Sequence, residues 1–191
     1  MQPVIIYIHG FNSSPQSFKA VQVKSYLDTH RPDIIFECHQ MPAYPQQAWQ
    51  FIESIVARHQ GANIGFIGSS LGGFLSTKAC EHFHCRAVLI NPAVKPYELL
   101  VEYLGVNTNP YTQQSYVLTE QHITELRQLD VAHISRPSDI WALLQTADEV
   151  LDYRQAELKY QACRLTIEPG GDHSFVGFER HISDIVQFLA L

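Results

Sequence analysis

The stretch Ile67-Gly68-Ser69-Ser70-Leu71-Gly72-Gly73 decides how the rest of the chain is read. It has the form G-x-S-x-G with Ser70 at its centre; the apolar run from Asn63 to Ile67 leads into it and a helix-compatible segment follows. Strand, sharp turn and helix in that order put the central serine on a strained turn at the carboxyl end of a strand. Small residues at Gly68 and Gly72 let the strand and the helix approach closely. The Ser70 hydroxyl then faces solvent or substrate, and the Leu71 N–H at the helix start is free to donate to a developing oxyanion. Three fixed positions are few, however, and a Gly/Ser cluster after a strand is also what an ordinary turn looks like. The surrounding chain has to decide between the two.

Before the motif, Val4 to Ile8 is a short apolar run ending in His9-Gly10, as in a buried strand of a parallel sheet. Ser14 and Pro15 suit the cap and first position of a helix whose apolar residues are Ala20, Val23 and Leu27. Ile34 to Cys38 is a second strand candidate. Pro45 to His59 carries Ala48, Phe51, Ile52, Ile55 and Val56 at the spacing of an amphipathic helix. After the motif, Ala87 to Ile90 and Ile140 to Leu144 read as buried strands, Val150 to Tyr160 as a helix, Cys163 to Ile167 as the last strand, and Phe178 to Leu189 as a closing helix. Strands alternating with helices predict an α/β architecture: about six mostly parallel strands, helices on both faces, and an active site at the strands' carboxyl ends. The rhythm breaks between about 95 and 136, where four tyrosines and several leucines and isoleucines are interspersed. This reads as an insertion over the site, a small helical cap on a single domain spanning 1–191.

The net charge of -6 and pI near 5.9, with no Lys/Arg cluster, disfavour nucleic acid and anionic membranes as partners. No stretch is apolar enough to span a bilayer. Cys38, Cys80, Cys85 and Cys163 lack C-x-x-C spacing, and no basic-then-apolar leader opens the sequence, so a reduced, cytoplasmic protein is expected. Cys80 and His84 share a helix face at i and i+4, but no second ligand pair matches them, and no metal site is expected.

A serine hydroxyl needs a base, and the base works best when a carboxylate fixes its tautomer. In this architecture the chain order is serine, acid, histidine. Asp148 follows the strand from Ile140, and His173 follows the strand ending at Ile167, within Glu168-Pro169-Gly170-Gly171-Asp172-His173-Ser174-Phe175. Ser70, Asp148 and His173 thus come from three strand ends on one edge of the sheet, which a structural turn has no reason to arrange. Asp139, Asp152 and Asp172 compete for the acid. Asp139 precedes its strand, Asp152 lies inside the predicted helix, and Asp172 adjoins His173 with its side chain directed away in most backbones. A second oxyanion donor is expected from the Phe11 N–H, beside that of Leu71. Phe11, Leu71 and Phe175, near the triad, are expected to enclose an acyl chain of short to medium length under two short helices of the insertion. The same apolar residues of the insertion are also able to form a homodimer contact.

His9-Gly10-Phe11, Gly68-Ser69-Ser70-Leu71-Gly72-Gly73, Asp148-Glu149-Val150-Leu151-Asp152-Tyr153 and Gly170-Gly171-Asp172-His173-Ser174-Phe175 resemble the α/β-hydrolase superfamily, and within it the small bacterial YqiA-type esterases. The likeness spans essentially the whole chain. It implies a minimal α/β-hydrolase fold, without the first two strands of larger hydrolases, and a serine esterase acting on acyl esters or thioesters with no cofactor. Ala147 stands where a glycine is frequent before the acid. A noncatalytic hydrolase-fold binding or scaffold protein is the alternative, since fold does not fix function.

Overall fold

The computed structural model describes residues 2–191. In chain order it runs through β1 (Val4–Ile8), α1 (Phe18–His30), β2 (Ile35–Glu37), α2 (Pro45–Arg58), β3 (Ile64–Ser69), α3 (Leu71–Phe83), β4 (Arg86–Ile90), α4 (Pro96–Leu99), β5 (Gly105–Thr108), β6 (Ser115–Leu118), α5 (Glu120–Leu129), β7 (Ile140–Gln145), α6 (Tyr153–Lys159), β8 (Arg164–Glu168) and α7 (Ile182–Leu189). Six strands form one sheet in the order β2-β1-β3-β4-β7-β8, every pairing parallel. The chain steps from β1 outward to β2 and then returns to the other side of β1 for β3. The strand order therefore reverses between β1 and β3, and in open α/β sheets the crevice at such a reversal is where ligands bind.

Each strand feeds both faces because side chains alternate. Val4, Ile6 and Ile8 of β1, with Ile140, Ala142 and Leu144 of β7, pack under α2, α3, α5 and α6. Ile5, Tyr7, Trp141 and Leu143 pack on the opposite face under α1 and α7. Burial on both faces explains why β1, β4 and β7 read as continuous apolar runs. Among the described residues no helix is long and apolar enough to cross a membrane.

Three expectations are corrected. The first helix begins at Phe18, not at Pro15: the Ser14 hydroxyl accepts from Gln16 N–H and its carbonyl from Ser17 N–H, which makes a separate turn ahead of the helix. The helix after β7 begins at Tyr153, and Asp152 is its N-cap rather than an interior residue, its carboxylate accepting from Arg154 N–H. The insertion is not helical alone. Between the short α4 with its 3-10 extension to Tyr103 and the longer α5 lies an antiparallel hairpin, β5–β6, pairing Gly105 with Leu118 and Thr108 with Ser115. Its turn is organised by Asn109, whose side-chain oxygen accepts from the N–H groups of Tyr111 and Thr112. Helix α5 carries Ile123, Leu126 and Leu129 into the core, as their spacing required.

Candidate active site

Ser70 sits between β3 and α3 with φ 54° and ψ -118°, a conformation L-residues avoid. Its backbone is fully engaged: the N–H donates to Ile90 O, and the carbonyl accepts from Gly73, Phe74 and Ala93. Those bonds from both sides hold the strained residue in place. A Cβ on Gly72 would enter the van der Waals shell of the Ile8 carbonyl, and one on Gly68 would collide with the Gly72 carbonyl, so both positions require glycine for the helix to lie this close to the sheet.

Asp148 follows the end of β7 and His173 lies in the loop after β8, five residues past Glu168. His173 Nδ1 donates to the Asp148 carboxylate, at 2.8 Å from Oδ2 and 3.0 Å from Oδ1. The Asp148 side chain is 2% exposed and that of His173 23%, so the acid is sealed while the imidazole reaches the surface. Asp148 Oδ1 also accepts from the N–H groups of Val150 and Leu151. Burial by itself raises the Asp148 carboxyl, but His173 and these N–H donors outweigh it and hold the group below the ordinary carboxylate range. Among the described residues no hydrogen bond joins Ser70 Oγ to His173 Nε2; the acid and imidazole are bonded, and the serine stands apart from them.

The histidine loop is braced by two residues that sequence reasoning passed over. Gln145, 2% exposed, accepts from Asp172 and Val176 N–H through Oε1 and donates to Val176 O and Glu168 through Nε2. Asn91 donates through Nδ2 to the carbonyls of Asp172 and His173, while its Oδ1 accepts from Gln145 N–H. Both are polar residues at the ends of apolar strands, Ile90-Asn91 and Leu144-Gln145, and that abrupt change was the available signal. The His173 N–H donates to Glu149, and Lys19 of α1 donates to Ser174 O at 2.8 Å. Burial pulls the Lys19 ammonium down to about 8 against the opposing pull of Asp172 and Asp148.

Phe11 and Leu71 flank Ser70. The loop that carries Phe11 lies against the serine: a Cβ on Gly10 would sit 3.3 Å from Ser70 Cβ. Among the described residues neither the Phe11 N–H nor the Leu71 N–H has a hydrogen-bond acceptor, so both are available to a ligand. His9, buried, is bonded on both nitrogens: Nδ1 donates to Gly10 O and Nε2 accepts from Met41 N–H. Burial lowers its pKa, which keeps the ring neutral in the tautomer these bonds require.

A cavity of about 260 Å³ opens beside Phe11 and Leu71. Met41, Ala48, Leu75, Leu118, Ile123 and Leu126 supply apolar walls, and Asn12, Gln40, Gln114 and His122 supply polar groups. Phe175 does not line it. That residue is 2% exposed and packs edge-on against Phe178 and His181 in the core on the other face of the sheet, so its expected place at the substrate is wrong. Its φ of 63° turns the side chain inward directly after the histidine loop. Cys80 is likewise a core residue, its thiol donating to Asp139 O, and among the described residues no group of three ligands able to hold a metal occurs.

The architecture is that of the α/β-hydrolase fold. Mouse alpha/beta hydrolase domain-containing protein 10 superposes with a TM-score of 0.76 at 19% identity, covering 99% of this chain and 91% of that one. Est1E from Butyrivibrio proteoclasticus gives 0.70 at 15% identity over 98% and 87%, and a Paleococcus ferrophilus monoacylglycerol lipase 0.72 at 13% over 98% and 94%. Residues 4–190 match the family described as "Uncharacterised protein family (UPF0227)". The chain belongs to that family.

Proposed function

We propose that this protein is a serine hydrolase that cleaves short- to medium-chain acyl esters through an acyl-enzyme. The observation that carries this reading is the sealed Asp148–His173 pair, built from two strand ends onto the same sheet edge as a strained Ser70. In the reaction, Ser70 Oγ attacks the carbonyl carbon as His173 Nε2 takes its proton, and Asp148 stabilises the resulting imidazolium through Nδ1. The N–H groups of Phe11 and Leu71 receive the oxyanion. The imidazolium then gives its proton to the departing alkoxide, and water, activated by the same ring, releases the acid. The unbonded Ser70–His173 link is the part that substrate has to close, as resting sites commonly leave it open. A scaffold role has no use for a strained serine beside two unoccupied N–H donors. Esters and thioesters share this chemistry, and the similarity to a protein named as a monoacylglycerol lipase supports acyl transfer in general.

The cavity beside Leu71 is read as the acyl site. A methylene is similar in size to a water molecule, whose share of liquid volume is ~30 Å³, so roughly eight carbons fill it. A panel of soluble acyl esters and thioesters tests the proposal: turnover by wild type and none by Ser70→Ala supports it, and equal turnover by both removes it.

A further inference from the structure

The loop carrying the Phe11 N–H is tied to the inserted hairpin as firmly as to the sheet. The Tyr116 hydroxyl on β6 donates to Asn12 Oδ1 at 2.5 Å, across 104 residues of sequence. Asn109, at the start of the hairpin turn, donates through Nδ2 to Ser13 O at 3.1 Å. From the sheet side Gln40 donates to the same carbonyl, also at 3.1 Å. The Phe11 ring meets Tyr103 and Tyr116 edge-on, with centroids 5.2 and 6.4 Å apart. Tyr116 and Asn109 are buried, and Asn12 is held at φ 52°. Asparagine tolerates that left-handed conformation but does not enforce it. The residue following Phe11 therefore keeps its angle because its side chain is anchored to the insertion.

We propose that the β5–β6 hairpin is a positioning element for the oxyanion loop, acting through Tyr116 on Asn12 and through Asn109 on Ser13, and not merely a cover for the acyl cavity. An oxyanion donor has to lie about 2.7–3.1 Å from the charge it stabilises, and a displacement near 1 Å costs on the order of 100-fold in rate. Gly10 O, the carbonyl of the peptide that carries the Phe11 N–H, accepts from Ser13 N–H, so releasing Asn12 and Ser13 loosens the turn that fixes that peptide. The inference rests on the serine-hydrolase reading, because it assigns the hairpin a part in that site's transition state.

The test compares wild type with Tyr116→Phe, which removes one hydroxyl, and Asn109→Asp, which keeps the acceptor for Tyr111 and Thr112 but loses the donor to Ser13. Tyr111→Phe, at an exposed position of the hairpin turn, is the control. Kinetics on a soluble ester are read with inhibition by a trifluoromethyl ketone. Its carbonyl carbon bonds to Ser70 Oγ, the serine proton passes to His173, and the carbonyl oxygen becomes an oxyanion in the same donor pair. End-point fluorophosphonate labelling counts folded sites. Tyr116→Phe and Asn109→Asp are expected to lower kcat roughly 10- to 100-fold with KM within about twofold. The ketone should weaken by the same factor as kcat/KM falls, with full labelling retained and Tyr111→Phe unchanged. A kcat within twofold of wild type overturns the proposal, as does a loss of kcat/KM carried wholly by KM, which marks the hairpin as a pocket wall. If wild type itself takes no label and turns over no ester, the serine-hydrolase reading fails and the hairpin's role goes with it.

Discussion

Replacing Asp148 by asparagine changes one buried atom and, on the geometry above, reverses a proton. The amide oxygen still accepts from Val150 and Leu151 N–H, so the turn after β7 survives. The new NH₂ group, however, faces His173 Nδ1 where a carboxylate oxygen stood at 2.8 Å. It donates there, which forces the ring proton onto Nε2, the nitrogen required to accept from Ser70. The buried negative charge that stabilised imidazolium is lost as well. Together these effects cost about 10³- to 10⁴-fold in kcat, roughly 4 to 5.5 kcal/mol at 1.36 kcal/mol per decade. KM should stay within a few-fold, since Asp148 does not line the cavity. Release of p-nitrophenol from a butyrate ester measures it, with thermal unfolding run alongside. Asp152→Asn, at a helix cap where asparagine serves equally, should cost almost nothing. The reasoning is refuted if Asp148→Asn keeps a tenth or more of wild-type kcat, or if Asp172→Asn proves the more damaging change.

Three further outcomes are expected. Gln145→Leu leaves the part-buried Asp172 and Val176 N–H and Val176 O without their partner, which should destabilise the chain by about 1 to 3 kcal/mol in urea titration and lower kcat by loosening His173. Lys19, with its folded pKa pulled to about 8, contributes stability that rises with pH from there to about pH 10.4, whereas Cys38, Cys80, Cys85 and Cys163, whose thiols burial pushes up, contribute a fall across the same window. Lys19→Met should remove only the rise, so its urea midpoint should drop more between pH 7.5 and 10 than that of wild type, and equal drops would refute the Lys19 contribution. Across a series of soluble esters, each added methylene should improve kcat/KM by up to about 0.8 kcal/mol until the cavity fills near eight carbons, whereas a flat profile would show that this cavity does not hold the acyl chain.

The layers and the sheet were legible because burial on both faces leaves continuous apolar runs, as in Val4–Ile8 and Ile140–Leu144, and because α2 and α5 carry apolar residues at helical spacing. The placement of Ser70, Asp148 and His173 at strand ends followed from that rhythm. Phe175 was misplaced because its neighbour His173 suggested a shared environment, while a positive φ turns the chain between them and sends the ring to the opposite core. The hairpin escaped notice because each of its strands is four residues long and its outer face, Val106 and Val117, is exposed, so no apolar run or helical period marks it. Asn91 and Gln145 escaped because their roles are bracing across 23 to 82 residues, and local sequence carries no trace of such a partner.

The most direct test of the central claim is where a fluorophosphonate attaches. Ser70 is beside the two free N–H donors and carries the strained backbone, whereas its neighbour Ser69 is buried in β3. Mass spectrometry of folded protein after labelling should place a single adduct on Ser70, with labelling lost in His173→Ala while the variant still unfolds cooperatively. An adduct on Ser69 or elsewhere, or none on folded wild type, would contradict the account.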